Sequence, residues 1–165
     1  MKVLITYFSQ TGKTKQIAEA IHDIINTDKE IKDLSEVESI GEYDLTFVGF
    51  PIHAFAPPAS VKPFLQNECS GKRIVLFITH AQPEDYEELD QWIATCQNEA
   101  GNAEIVDVFS CQGEIAPAFL EAMQKNDDPY MQKLAKGAAT SKGQPDATRI
   151  QKAREFAANV MAANS

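Results

Sequence analysis

Positive charge is scarce in this 165-residue chain: 15 Lys and Arg stand against 24 Asp and Glu, a net charge of −9. A nucleic-acid interface needs a basic stripe, so this balance argues against one, and it disfavours anionic membrane surfaces as well. Cysteine is sparse too, with Cys69, Cys96 and Cys111 far apart and odd in number. No Cys-x-x-Cys pair or Cys/His ligand spacing occurs, so neither a disulfide framework nor a metal site is supported. No apolar run approaches membrane length, and Met1 leads directly into strand-like sequence without the shape of a signal peptide. A cytoplasmic, soluble protein is therefore expected. Three nucleotide and nucleophile signatures are also missing. Without Gly-x-Gly-x-x-Gly a dinucleotide fold is disfavoured, and without Gly-x-x-x-x-Gly-Lys-Ser/Thr there is no triphosphatase role for Lys13. Without Gly-x-Ser-x-Gly, and with no evident base beside Cys111, hydrolytic chemistry has no nucleophile; no catalytic residue is assigned.

What is present begins at the N-terminus. Val3-Leu4-Ile5-Thr6-Tyr7-Phe8 reads as a buried strand, and Ile17, Ile21, Ile24 and Ile25 are spaced for one face of a helix. Between them lies Ser9-Gln10-Thr11-Gly12-Lys13-Thr14. A strand-to-helix turn rich in hydroxyls has two readings. Ser9 or Thr11 could be an N-cap, or the free N–H groups of the first helical turn could hold an anion, with Gly12 allowing close approach.

The same rhythm continues. Strands are expected at 30–34, at 44–50 and 73–79 (both strongly apolar) and at 104–110. Helices are expected near 59–67, in a stripe through Tyr86, Leu89, Ile93 and Cys96, and over 146–163. Residues 111–145 read as irregular, with a short helical pattern near 118–124 and a small-residue run, 136–143, marked as mobile. Near-continuous apolar strands alternating with helices imply a single α/β domain of three layers with a parallel sheet. Five strands suit the order 2-1-3-4-5, whose switch point gathers the loops Ser9–Thr14, Pro51–Pro58 and Thr79–Pro83.

Ser9-x-Thr11-Gly12-x-Thr14 after the first strand resembles the phosphate loop of the flavodoxin family. Gly49-Phe50-Pro51-Ile52-His53-Ala54-Phe55-Ala56-Pro57-Pro58 with Phe64-Leu65 is similar to the segment after the third strand of bacterial flavodoxin-like domains. Ser110-Cys111-Gln112-Gly113 and Gly143-Gln144-Pro145-Asp146 add a weaker likeness. The resemblance implies a flavodoxin-like sandwich holding FMN non-covalently. The phosphate would lie on Ser9, Gln10, Thr11, Gly12, Lys13 and Thr14. The ring would lie between Pro51, Ile52, His53, Ala54, Phe55 and Thr79, His80, Ala81, Gln82. It further implies a monomeric electron carrier working between a reductase and a terminal redox enzyme. An FMN-dependent NAD(P)H:quinone-type or other small-acceptor reductase is the alternative, and a module without tight flavin is a third.

Two features depart from the family pattern. Neither ring loop has a Trp, leaving Phe55, His53 and His80 as the flat groups, while Trp92 is read as structural. The first ring loop also lacks the usual Gly, so a positive φ at Ala54 would be strained. Glu84, Asp85, Glu87, Glu88 and Asp90 come directly after the last ring loop. They suit a helix start and would also attract a basic protein partner. One such charge at about 10 Å, with an effective dielectric of about 20, is worth roughly 1.7 kcal/mol against a reduced anionic ring. With no Arg in the three loops to pair a second phosphate, direct reduction by NAD(P)H is expected to be negligible.

Overall fold

The computed structural model describes residues Met1–Ser165. Five strands form one parallel sheet: β1 (Lys2–Tyr7), β2 (Asp28–Asp33), β3 (Leu45–Pro51), β4 (Arg73–His80) and β5 (Glu104–Gln112), ordered β2-β1-β3-β4-β5. The order is the expected one. The central strands are apolar on both faces because each face carries its own core. Val3, Ile5, Leu45, Phe47 and Phe77 point to one side. There they meet α1 (Lys13–Ile24) and α5 (Ala147–Asn164) through Ile17, Ile21, Ala153 and Ala157. Leu4, Val48, Phe50, Leu76 and Ile78 point to the other side, where Val61, Leu65 and Cys96 of α2 (Leu89–Glu99) cover them. Gly49 sits in the first core because the Phe77 ring fills its side-chain position; a Cβ there would lie 1.9 Å from that ring.

The two edges are handled differently. β2 is half-exposed and charged along its length, which discourages pairing with another chain. β5 is bulged at Val106, where the register steps from Ile74↔Ile105 to Val75↔Asp107. The Asp107 carboxylate accepts the Val108 N–H at 2.8 Å, so the bulge satisfies one edge amide internally.

Three local expectations change. The helix expected near 59–67 is a short π-helical turn, Phe64–Glu68, entered through Pro57-Pro58 and Pro63. The stripe on α2 is Leu89, Trp92 and Cys96, since Tyr86 precedes the helix. The stretch 111–145, expected to be irregular apart from a short helix near 118–124, is regular over most of its length, and that helix is present. β5 runs on to Gln112, and two helices come after it, α3 (Pro117–Gln124) and α4 (Pro129–Ala139). The first half of the run 136–143 belongs to α4, whose Leu134, Ala135 and Ala138 are buried. The excursion leaves and returns at one doorway. Gly113 N–H donates to His80 O and Glu114 N–H to Gln144 O, both at 2.9 Å. Ile115 N–H donates to Ser141 Oγ at 3.0 Å and Gly143 N–H to a Glu114 carboxylate oxygen at 2.8 Å.

Candidate functional site

Parallel strands deliver their carboxyl ends to one edge, and the loops after β1, β3 and β4 meet there. Phe8 N–H donates to Gly49 O and Ile52 N–H to Thr79 O, both at 2.9 Å, which holds the three loops in fixed relation. They border a cavity of about 470 Å³, within the size range of small-molecule and cofactor sites. Fourteen of the fifteen residues named from sequence line it, and Gly12 stands just behind as the N-cap of α1.

The first loop is built around that glycine, with φ 84°. Ser9 and Thr11 do not cap; the Ser9 hydroxyl only reaches Lys15 N–H at 3.4 Å. The backbone N–H groups from Gln10 to Thr14 therefore find no acceptor within the protein. Thr14 turns inward, its buried hydroxyl 2.8 Å from that of Thr79, so it ties the first loop to β4.

The second loop is a tight two-residue turn. His53 N–H donates to Ala56 O at 2.8 Å and Ala56 N–H to His53 O at 3.1 Å, with Ala54 at φ 47° and Phe55 at φ 68° between them. Neither is glycine, so the turn is held by its surroundings. Phe55 packs on Trp92, ring centroids 4.9 Å apart, and Trp92 on Tyr86 at 5.3 Å. Trp92 is thus both a core residue of α2 and part of the cavity wall, a placement that its helical spacing alone does not reveal. His53 lies edge-on to Phe8, and burial lowers its pKa.

The third loop holds the other imidazole. His80 Nδ1 lies 2.7 Å from Gln82 O, a contact that puts the proton on Nδ1. Burial pushes the His80 pKa down, so the ring is neutral at pH 7, and its Nε2 has no partner. Gln82 reaches across to α4, donating to Leu134 O at 2.8 Å, and its amide oxygen rests against Gly137.

The fourth wall comes from the excursion. Ile115, Phe119, Met123, Met131, Leu134 and Ala138 line the cavity from α3, α4 and the turn before them. Asp128-Pro129 is the sequence signal that marks this wall. Asp128 accepts Tyr130 N–H at 2.8 Å as N-cap, and Pro129 occupies the first turn.

The acidic run is less bare than its sequence. Glu84 is gripped by the Arg149 guanidinium, Nε at 2.5 Å and Nη2 at 2.8 Å, which holds its pKa down at about 2. Arg149 also meets Asp146 at 3.1 Å. Glu87 pairs with Lys133 at 2.5 Å. Glu88 accepts Tyr86 and Tyr130 hydroxyls, each at 2.8 Å, and these lower its pKa. Asp85 and Asp90 make no ion pair. Burial drives the Cys111 thiol to about 12, which leaves it inert as a nucleophile at neutral pH. No group of three or more His, Cys, Asp or Glu is disposed to hold a metal ion. No helix is long and apolar enough to cross a membrane.

Known proteins agree with this architecture. A flavodoxin domain family model matches residues 4–158. A flavodoxin-like domain-containing protein of Clostridioides difficile, BilS, is 32% identical over 178 aligned residues, which span 98% of this chain and 97% of that one. Among solved structures, oxidised Flavodoxin 2 from Bacillus cereus superposes with a TM-score of 0.63 at 20% identity, covering 98% and 99% of the two chains. An archaeal flavodoxin gives 0.60 at 17% identity, covering 97% and 96%. A flavoprotein from Lactobacillus acidophilus solved in complex with FMN gives 0.51 at 21% identity, covering 66% of this chain and 92% of that one. At these identities the solved structures share the fold.

Proposed function

We propose that this chain, which belongs to the flavodoxin domain family, binds FMN and carries electrons between a reductase and a terminal redox enzyme. The observation that carries the reading is an anion-ready loop opening into an apolar cavity at the switch point of the sheet. Five consecutive N–H groups without protein acceptors, at the start of α1 and beside a glycine of positive φ, suit a phosphate. Ser9, Gln10, Thr11, Gly12, Lys13 and Thr14 would hold it, with Thr14 acting chiefly through its N–H because its hydroxyl is bound to Thr79. The flat apolar part of the ligand would lie between Pro51–Phe55 and Thr79–Gln82. Bound FMN supplies the one- and two-electron chemistry; the protein supplies orientation, water exclusion and local charge. Three free, buried thiols suit a reducing compartment such as the cytoplasm.

One observation supports the small-acceptor reductase as a second reading: α3 and α4 add a fourth, apolar side to the cavity. Charge supports the carrier. The nearest guanidinium, Arg149, is already committed to Glu84 and Asp146, so a second anionic phosphate would find no free partner there. Asp85, Glu88 and Asp90 keep the sign of this edge negative, which suits a basic protein partner.

The purified protein is expected to be yellow, with flavin bands near one per chain. Titration of the apoprotein should show FMN binding far more tightly than riboflavin. Equal affinities would sink the phosphate-loop assignment. Anaerobic mixing with NADH or NADPH alone should leave the flavin oxidised, whereas a reductase should reduce it at a rate that falls with added salt. Fast saturable bleaching without a second protein would transfer the assignment to the reductase.

A further inference from the structure

Helix α3 is anomalous for its composition. Of its eight residues, Ala118, Phe119, Leu120, Ala122 and Met123 are apolar, yet none of the eight is buried. Apolar helices are ordinarily packed into a core. Its ends contribute little, because Ala116 at the N-cap makes no side-chain bond and the first turn has no acid. An isolated helix of this length is marginal in water. Its main support is α4, with Met123 reaching the small cluster of Leu89, Trp92 and Leu134. Phe119 is 59% exposed, the most open large apolar side chain of the protein, and its ring lies 6.5 Å from that of His53, which also lines the cavity. Phe119 and Met123 are four residues apart, and both line the cavity. The missing contact of α3 therefore faces the same space into which the anion loop opens. A ligand with a phosphate at one end and a flat apolar ring at the other would supply it.

We propose that α3 is a cover ordered by the ligand, and that Phe119 is the residue that closes on the ring of the bound flavin. The inference rests on the FMN reading above and adds a ring contact from outside the three switch-point loops. In the apoprotein α3 opens readily, because most of its apolar surface has nothing to lose. With the cavity filled, Phe119 and Met123 gain a face to pack on, and the helix is held from both sides.

Hydrogen exchange of the full chain, with and without saturating FMN, tests this directly. The amides of 117–124 are expected to slow by about tenfold or more on loading, with α5 as the unchanged reference. Phe119→Ala should weaken FMN and riboflavin by the same factor, about 2- to 12-fold, because Phe119 acts on the ring and not the phosphate. Phe119→Tyr should restore the wild-type affinity. Exchange that is unchanged over 117–124 in a protein shown by its spectrum to be fully loaded overturns the cover while leaving the FMN assignment intact. Wild-type affinity in Phe119→Ala does the same. Failure to bind either flavin removes the functional reading, and this one with it.

Discussion

Replacing Ala54 by glycine is expected to stabilise the protein, although alanine-to-glycine changes usually do the reverse. Ala54 sits at φ 47° in a turn closed by two hydrogen bonds between His53 and Ala56. A left-handed backbone costs a residue with a Cβ about 1–2 kcal/mol. Glycine removes that strain but adds freedom to the unfolded chain worth about 0.4–1 kcal/mol. The difference leaves a gain of about 0.8 kcal/mol, or about 2–3 °C in Tm for a domain of this size. Urea unfolding of the apoprotein measures it as a rise in midpoint at constant slope. Gly12→Ala is the mirror control. Gly12 has φ 84° and no atom within 4 Å of where a Cβ would stand, so only the backbone term acts, with opposite sign. It should destabilise by about 0.8 kcal/mol. A loss of stability in Ala54→Gly would refute the strained turn and the cost assigned to it.

Thr11→Ala should weaken FMN by about 1.5–3 kcal/mol through loss of a hydroxyl donor to an anion, with riboflavin unaffected; calorimetry with both ligands checks the contrast. Gly137→Ala should cost about 1–2 kcal/mol in denaturant unfolding. Its Cβ would stand 1.7 Å from the Gln82 amide oxygen, and the displaced side chain would lose Leu134 O. In a Gln82→Ala background the same change should instead stabilise, by helix propensity alone. The depressed pKa of Glu84 contributes stability that is full above about pH 5 and is lost as pH falls towards about 2. The carboxylate is 41% exposed, so solvent screening reduces this to about 1 kcal/mol, and Glu84→Gln should flatten the acid limb of Tm against pH by that amount.

The sheet was legible because its strands are marked twice, by their composition and by the loops that end them. Continuous apolar runs end at Pro51 and at His80-Ala81-Gln82-Pro83, and the first ends at a Gly-containing hydroxyl loop. The three loops therefore came together where strand order requires. The features that stayed hidden depend on contacts between distant positions. Arg149 meets Glu84 across 65 residues and Lys133 meets Glu87 across 46, so two of the five charges in a run that looks bare are paired in space. Trp92 shows helical spacing, but its contact with Phe55 becomes visible only once the turn at Ala54 is folded back. Helix α4 could have been read from Asp128-Pro129 and from Met131, Leu134, Ala135 and Ala138. Its small residues masked it: Ala135, Gly137 and Ala138 resemble a flexible linker until Gln82 is seen to occupy the space they leave.

The doorway between Gly113 and Gln144 gives the excursion a modular character. Its ends are stitched to each other and to β4 by two backbone–backbone hydrogen bonds and two from backbone to side chain. Chain length inserted at such a point costs only a slowly growing loop entropy, about 0.6 kcal/mol per doubling. Residues 115–143 can thus change length cheaply only where the contacts that hold the third loop are kept, the Leu134 carbonyl that takes the Gln82 amide and the Leu134 side chain packed with Trp92. With FMN held as proposed, anchoring and recognition would be separated along the chain: the first fourteen residues would fix where the phosphate is held, and the two-helix unit near the other end would set the shape of what lies above it.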